Sequence, residues 1–85
     1  MTARTEELTT ARAEALFTSD LSSDGSVTRT EIDGIIRESL RVHGGVPGCA
    51  AEMAKRFGES PETAARRMQW ARGVVESSFP VRPAH

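Results

Sequence analysis

Apolar residues recur along the chain in four blocks at helical spacing, separated by short stretches of Gly, Pro, Ser and Asp. The first block, with Leu8, Ala11, Ala15 and Leu16 on one side and charge on the other, predicts a helix from about Thr5 to Ser19. A polar loop over residues 20 to 27 follows. Thr28 with Glu31 three positions later has the form of a capping box and opens a second helix reaching about His43, which buries Ile32, Ile35, Ile36 and Leu40. Gly44 and Gly45 stop it, and Val46, Pro47 and Gly48 read as the connection to a third helix. That helix turns Met53, Ala54 and Phe57 inward and ends at Gly58. Ser60, Pro61 and Glu62 then signal a new helix start in three ways: a side-chain cap, a proline suited to the first turn, and an acid near the positive end of the dipole. In this last helix, running to about Ser77, Ala64, Met68, Ala71 and Val75 form the buried stripe, and Glu62, Arg66, Gln69 and Gly73 lie opposite. Residues 1 to 4 read as a disordered N-terminus, Phe79 as packing back onto the last helix, and residues 80 to 85 as a flexible tail whose Pro80 to Pro83 run acts as a helix terminator.

These elements predict an all-α fold: a compact four-helix single domain over residues 5 to 79, with a C-terminal helix-turn-helix at about 49 to 77. No strand and no internal repeat is expected. A chain of 85 residues supports only a modest core, so stability rests on good helix packing or on added partner surface. No apolar run approaches the ~18 residues a membrane span needs, and no signal peptide is read at the N-terminus, so a cytoplasmic protein without membrane association is expected. The single cysteine leaves no internal disulfide, and Cys49, set among small apolar residues, reads as a core residue.

The third and fourth helices carry the candidate chemistry. Ala54 and Gly58, four apart, suit the close crossing and the turn of a helix-turn-helix, which presents its second helix to a DNA groove. Thr63, Arg66 and Gln69 would face bases or phosphates, Arg67 and Arg72 would pair with phosphates, and Ser60 with the helix N-terminus would fix a phosphate. Charge is divided unevenly. Residues 1 to 47 hold five Arg against eight acids, and residues 48 to 85 hold six Lys and Arg against four acids, so the basic excess lies in the half with the motif. The net charge of −1 still predicts weak binding to nucleic acid by a single chain, which a dimer would strengthen.

Glu52, Met53, Ala54, Phe57 and Gly58, then Thr63, Arg67, Met68, Ala71 and Arg72, stand at offsets where the segment resembles the promoter-reading helix-turn-helix at the C-terminal end of bacterial sigma factors. The resemblance covers roughly a quarter of the chain and implies DNA binding or an association with transcription. As a whole the chain is similar to small proteins of high-GC actinobacteria, which implies no function.

A second signal lies at Asp20 to Glu31, which fits the twelve-residue calcium loop of an EF-hand. Asp20, Ser22, Asp24, the Ser26 carbonyl, Thr28 and Glu31 would be the ligands, with Gly25 at the sharp turn and Val27 at the apolar position. Only two of the early ligands are carboxylates, so any Ca²⁺ affinity is expected to be weak. The same letters also make a turn followed by a helix cap, which is the simpler reading.

No enzyme constellation is present: His43 stands at a helix end, as a dipole partner or surface residue, and His85 in the tail. Ser39 falls near the end of its helix, not at the start where an acyl-carrier serine would stand. Trp70 could stack on a DNA backbone, but reads more simply as the lid of a small core. No cofactor is expected beyond weakly held Ca²⁺. The leading expectation is a small DNA-binding or transcription-associated protein. The alternative is a protein-interaction or self-association module that keeps the helical shape as a scaffold.

Overall fold

In the computed structural model, the backbone of residues 2 to 80 and the side chains of residues 5 to 80 are described. These residues form four helices: α1 (Thr2–Phe17), α2 (Arg29–His43), α3 (Gly45–Glu59) and α4 (Pro61–Ser78), with no strand among them. The fold is all-α, as the apolar periodicity predicts. The helix α1 begins before the expected Thr5, because Ala3, Glu6 and Glu7 favour continued helix and no breaker precedes them. Met1 and the tail from residue 81 onward lie outside the described residues.

Helix α1 is the centre of the molecule and packs against each of the other three, whereas α2 and α4 barely touch. Ala13, Ala15, Leu16 and Phe17 are all buried. At 3.6 residues per turn these four positions, with buried Thr18 just beyond them, lie widely round the axis, so the C-terminal end is largely enclosed and Glu14 lies on its more open side. Its N-terminal part is not, and Leu8, expected inside, is half exposed. Ile32 and Ile36 of α2, Cys49 of α3, and Ala64, Ala71 and Val75 of α4 complete the core. Met53, Phe57, Met68, Trp70 and Phe79 pack around it, and the Phe17 and Phe57 rings stack at 5.9 Å between centroids. Four of the ten buried apolar residues are alanines, so the core is made by close helix approach more than by bulk.

The capping box forms as expected. Glu31 N–H donates to Thr28 Oγ1 at 3.2 Å and Thr28 N–H donates to Glu31 Oε1 at 2.8 Å. Gly44, at φ 84°, ends α2 with its N–H on the Leu40 carbonyl. Three expectations fail beyond this point. Val46, Pro47 and Gly48 are not a connection but the first turn of α3, where a proline is tolerated because its missing N–H would have no partner. Gly58 does not end α3, which continues to Glu59. The break comes at Ser60 because a residue before proline is driven out of the helical region, and Ser60 takes φ −153°, ψ 77°. Ala54 is exposed and does not face α4, since a one-residue hinge sets the two helices differently from the longer turn the spacing suggests.

Candidate nucleic-acid interface

The outer face of α4 is built by the stripe that anchors its inner face. With Ala64, Ala71 and Val75 buried, the opposite side is presented outward, and Thr63, Arg66, Gln69 and Arg72 are all exposed. Together with Ser60 at the hinge they stand at steps of three residues, which on a helix makes one continuous inclined ridge. Two neighbouring steps cover ~9 Å of axis, so the two guanidinium stems bracket the Gln69 amide.

Other arginines of the described residues are engaged within the fold. Arg37 pairs with Asp33 at 2.9 Å, Arg41 with Glu38, and Arg56 with Glu52 at 3.1 Å. Arg12 and Arg29 lie over the Phe79 ring at 4.0 and 5.1 Å. Arg67 donates three hydrogen bonds to the end of α1 and the segment after it. Arg66 and Arg72 are the described arginines left without an intramolecular partner, and both are on the ridge. Glu62 and Glu76 are exposed on the outward side of α4, and Glu59 is exposed at the end of α3, so the face is mixed in charge rather than strongly basic.

Two expected contacts are corrected. Ser60 makes no side-chain cap. It serves both helices with its backbone instead, its N–H on the Arg56 carbonyl and its carbonyl accepting from Ala64 N–H, both at 2.9 Å. That double duty fixes a ψ of 77°, far from the 165° at which Thr28 caps α2. Arg67 does not stand among the outward residues. Its Nε donates to the Phe17 carbonyl, its Nη1 to Ser23 Oγ and its Nη2 to the Ser19 carbonyl, each at 2.9 Å, and the guanidinium lies 4.5 Å over the Trp70 ring. Burial, reinforced by the nearby Arg56 charge, holds the Arg67 guanidinium below its ordinary pKa range, with Asp20 opposing. It remains charged at neutral pH. Trp70 is half-buried against the core, as the lid reading has it.

Arg67 belongs to a cluster at the end of α1 that the sequence alone does not reveal. Because that end is enclosed, its free carbonyls have little water to turn to. Arg56 Nη1 reaches the Phe17 carbonyl at 3.4 Å, and His43 Nε2 donates to the Thr18 carbonyl at 3.0 Å. Thr18 Oγ1 bonds back to Glu14 and Ala15 and also meets Ser39 Oγ at 3.0 Å inside the core. One helix end is thus closed by side chains from α2, α3 and α4. The signal in the sequence is an omission: nothing between Phe17 and Leu21 is a glycine or asparagine able to end a helix by its own backbone.

The loop at residues 20 to 31 is arranged around the same cluster. Gly25 N–H closes a turn on the Ser22 carbonyl at 3.0 Å, and Ser22 Oγ bonds the Asp24 carboxylate. Asp20, Ser22, Asp24 and Ser26 are exposed, while Thr28 and Glu31 are bound to each other in the capping box. The Thr28 backbone N–H, and after it the Thr28 side chain, hold the Glu31 carboxyl below the usual carboxylate range. Among the described residues no group of three or more His, Cys, Asp or Glu side chains converges as a metal site would require. Cys49 is buried, its Sγ 3.8 Å from the Ser39 carbonyl.

Comparison with protein-family models, with curated proteins and with solved structures gave no match. The sigma-factor resemblance therefore rests on the residues between Glu52 and Arg72 alone. No helix among the described residues is long and apolar enough to cross a membrane.

Proposed function

We propose that this chain is a small nucleic-acid-binding module that reads duplex DNA with α4. The observation that carries this reading is the ridge of Thr63, Arg66, Gln69 and Arg72, on which two guanidinium groups without intramolecular partners flank an exposed amide. Arginine and glutamine are side chains that make paired hydrogen bonds to purine edges, and arginine also serves phosphates. The Arg67 contacts to α1 support the reading indirectly, since they fix α4 to the centre of the molecule and make it a rigid presenter.

With two free guanidiniums and a net charge of −1, affinity for an arbitrary duplex is low and falls with salt. The test is an amide chemical-shift titration of labelled protein with a short mixed-sequence duplex, at low and at physiological salt. Shifts confined to Ser60 through Arg72 that weaken with salt, and that vanish in Arg66→Ala/Arg72→Ala, are the expected result. Silence at low salt would move the assignment to a protein-interaction scaffold.

A further inference from the structure

We propose that Arg12, Arg29 and Thr9, gathered round the Phe79 ring, form a site for a dianionic phosphate group, either the free ion or the head of a small phosphomonoester. This inference does not rest on the nucleic-acid reading. Phe79 is the C-cap of α4, whereas Ser60 and the ridge begin at the other end of that 18-residue helix, ~27 Å long.

The ring draws together two cations from separate helices. Arg12 of α1 has its Cζ 4.0 Å from the Phe79 centroid, and Arg29, the first residue of α2, has its own 5.1 Å from the same point. The two guanidiniums are therefore no further apart than those distances together. Contact with a ring face orients a guanidinium but uses none of its N–H donors. Neither side chain has a hydrogen-bond acceptor or an ion-pair partner among the described residues. Two acids follow Arg29 closely in α2, and both are engaged. Asp33 is 2.9 Å from Arg37, and Glu31 is held by Thr28 in the cap and lines the groove on the other flank of α2. Glu14, two residues after Arg12, points to another side of α1. Two like charges held close with no carboxylate between them repel each other, and a bound anion removes that repulsion.

The space beside them suits a phosphate. Arg12, Arg29, Thr9 and Phe79 line a groove of about 360 Å³ with Leu8 and Pro80, and no acidic side chain among the described residues lines it. A tetrahedral phosphate turns oxygens in several directions, so one group can accept from both guanidiniums and from the Thr9 hydroxyl. With N–H···O contacts of ~2.8 Å on two sides it bridges guanidinium carbons ~8 Å apart. A carboxylate, with two oxygens in one plane, is filled by one such fork. The groove is at the small end of ligand pockets, and half-exposed Leu8 offers an apolar surface to the organic part of an ester. That suits inorganic phosphate or a small monoester better than a nucleotide. The positive end of the α2 dipole adds to the field at Arg29, offset in part by Glu31.

The test is a titration of the labelled full chain with inorganic phosphate, phenyl phosphate and dimethyl phosphate, read at the arginine side-chain N–H signals. It is run at constant ionic strength with sodium chloride as the balancing salt, at about pH 7.5, where a monoester is dianionic. Saturable shifts at Arg12 and Arg29 are expected with the first two ligands. Arg29→Gln, which removes an exposed charge without touching the core, should weaken binding by about tenfold or more. Phe79→Leu keeps apolar bulk at the C-cap but removes the platform, and should weaken it as well. Dimethyl phosphate, with one charge and two blocked oxygens, should bind at least about tenfold more weakly. Tighter binding of phenyl phosphate, with shifts of the Leu8 methyls, would uphold the site as one for an ester. Equal binding without those shifts would uphold it as one for the free ion. The proposal is overturned if neither ligand moves both arginines saturably, if dimethyl phosphate binds as well, or if Arg29→Gln leaves the binding unchanged.

Discussion

Arg67 Nε stands 2.9 Å from the carbonyl oxygen of Phe17, fifty residues earlier in the chain, and Nη2 of the same guanidinium holds the Ser19 carbonyl two residues on. The relationship follows from burial. A helix end ringed by neighbours must either turn off through a left-handed residue or borrow donors from those neighbours. This chain does the latter, and the planar fork of an arginine suits two carbonyls that diverge from a helix end. Its positive charge also lies at the negative end of the α1 dipole.

Removing that fork should loosen the centre of the molecule. Arg67→Ala leaves the Ser19 carbonyl without its donor and the Phe17 carbonyl with only the longer bond from Arg56, and it uncovers Trp70; we expect a loss of about 2 kcal/mol, or ~10 °C in Tm. Arg67→Lys should recover only part, because an ammonium cannot span both carbonyls. Thermal melts of the two variants check this. Arg66→Ala and Arg72→Ala, on the exposed ridge, should melt within ~0.5 kcal/mol of the parent.

Two glycines should respond in opposite ways. A Cβ on Gly48 would collide with the His43 carbonyl oxygen, so Gly48→Ala forces the start of α3 away from the end of α2. The expected cost is about 3 kcal/mol. Gly73, in α4 with no positive φ and nothing within 4 Å of an added methyl, should gain ~0.5–1 kcal/mol as Gly73→Ala. Urea unfolding with an unchanged m-value measures both.

The contrast between these positions shows what the letters alone can reveal. The Thr28 and Glu31 cap, the Gly44 stop and the Ala64, Ala71 and Val75 stripe are legible because each is decided within one or two turns of its own helix. Gly48 reads as loop because a proline beside a glycine usually ends structure, yet here both fit a first turn. The direction of Ala54 and Arg67 depends on how α3, α4 and the end of α1 meet. Periodicity places Arg67 at the flank of an outer face, and only the nearby carbonyls of Phe17 and Ser19 decide that it turns inward. Arg66 and Gln69 need no such information, lying opposite the stripe, with Thr63 and Arg72 at the flanks of that outer face.

Acid should weaken the fold through three hydrogen-bonded carboxylates, one of them in the cap of α2. The Glu31 carboxyl is held below its ordinary value by the Thr28 backbone N–H, Glu38 by Arg41 and Glu52 by Arg56. A carboxyl with a depressed folded-state pKa stabilises the fold fully above its unfolded value of about 4.3, and that contribution is lost as pH falls through the lower folded value. Melts should therefore be flat near neutrality and fall below about pH 4. Glu31→Gln should shrink the fall, and Thr28→Ala should cost ~1 kcal/mol at neutral pH.

Calcium offers the sharpest check on the loop. A bound ion would need Glu31 to give both oxygens to the loop interior, yet Oε1 accepts from Thr28 N–H, and surrendering it would undo the start of α2. It would also need the early loop to be anionic on its inner side, where the Arg67 guanidinium instead donates to Ser23 Oγ and the Ser19 carbonyl. Millimolar Ca²⁺ should then leave the amide shifts from Asp20 to Glu31 unchanged. In Arg67→Ala, where the guanidinium is gone but Asp20, Asp24 and Glu31 remain, a small Ca²⁺-dependent shift of these amides is expected. A saturable response in the parent chain would show that the capping box opens for the ion, and that Thr28 and Glu31 serve as ligands.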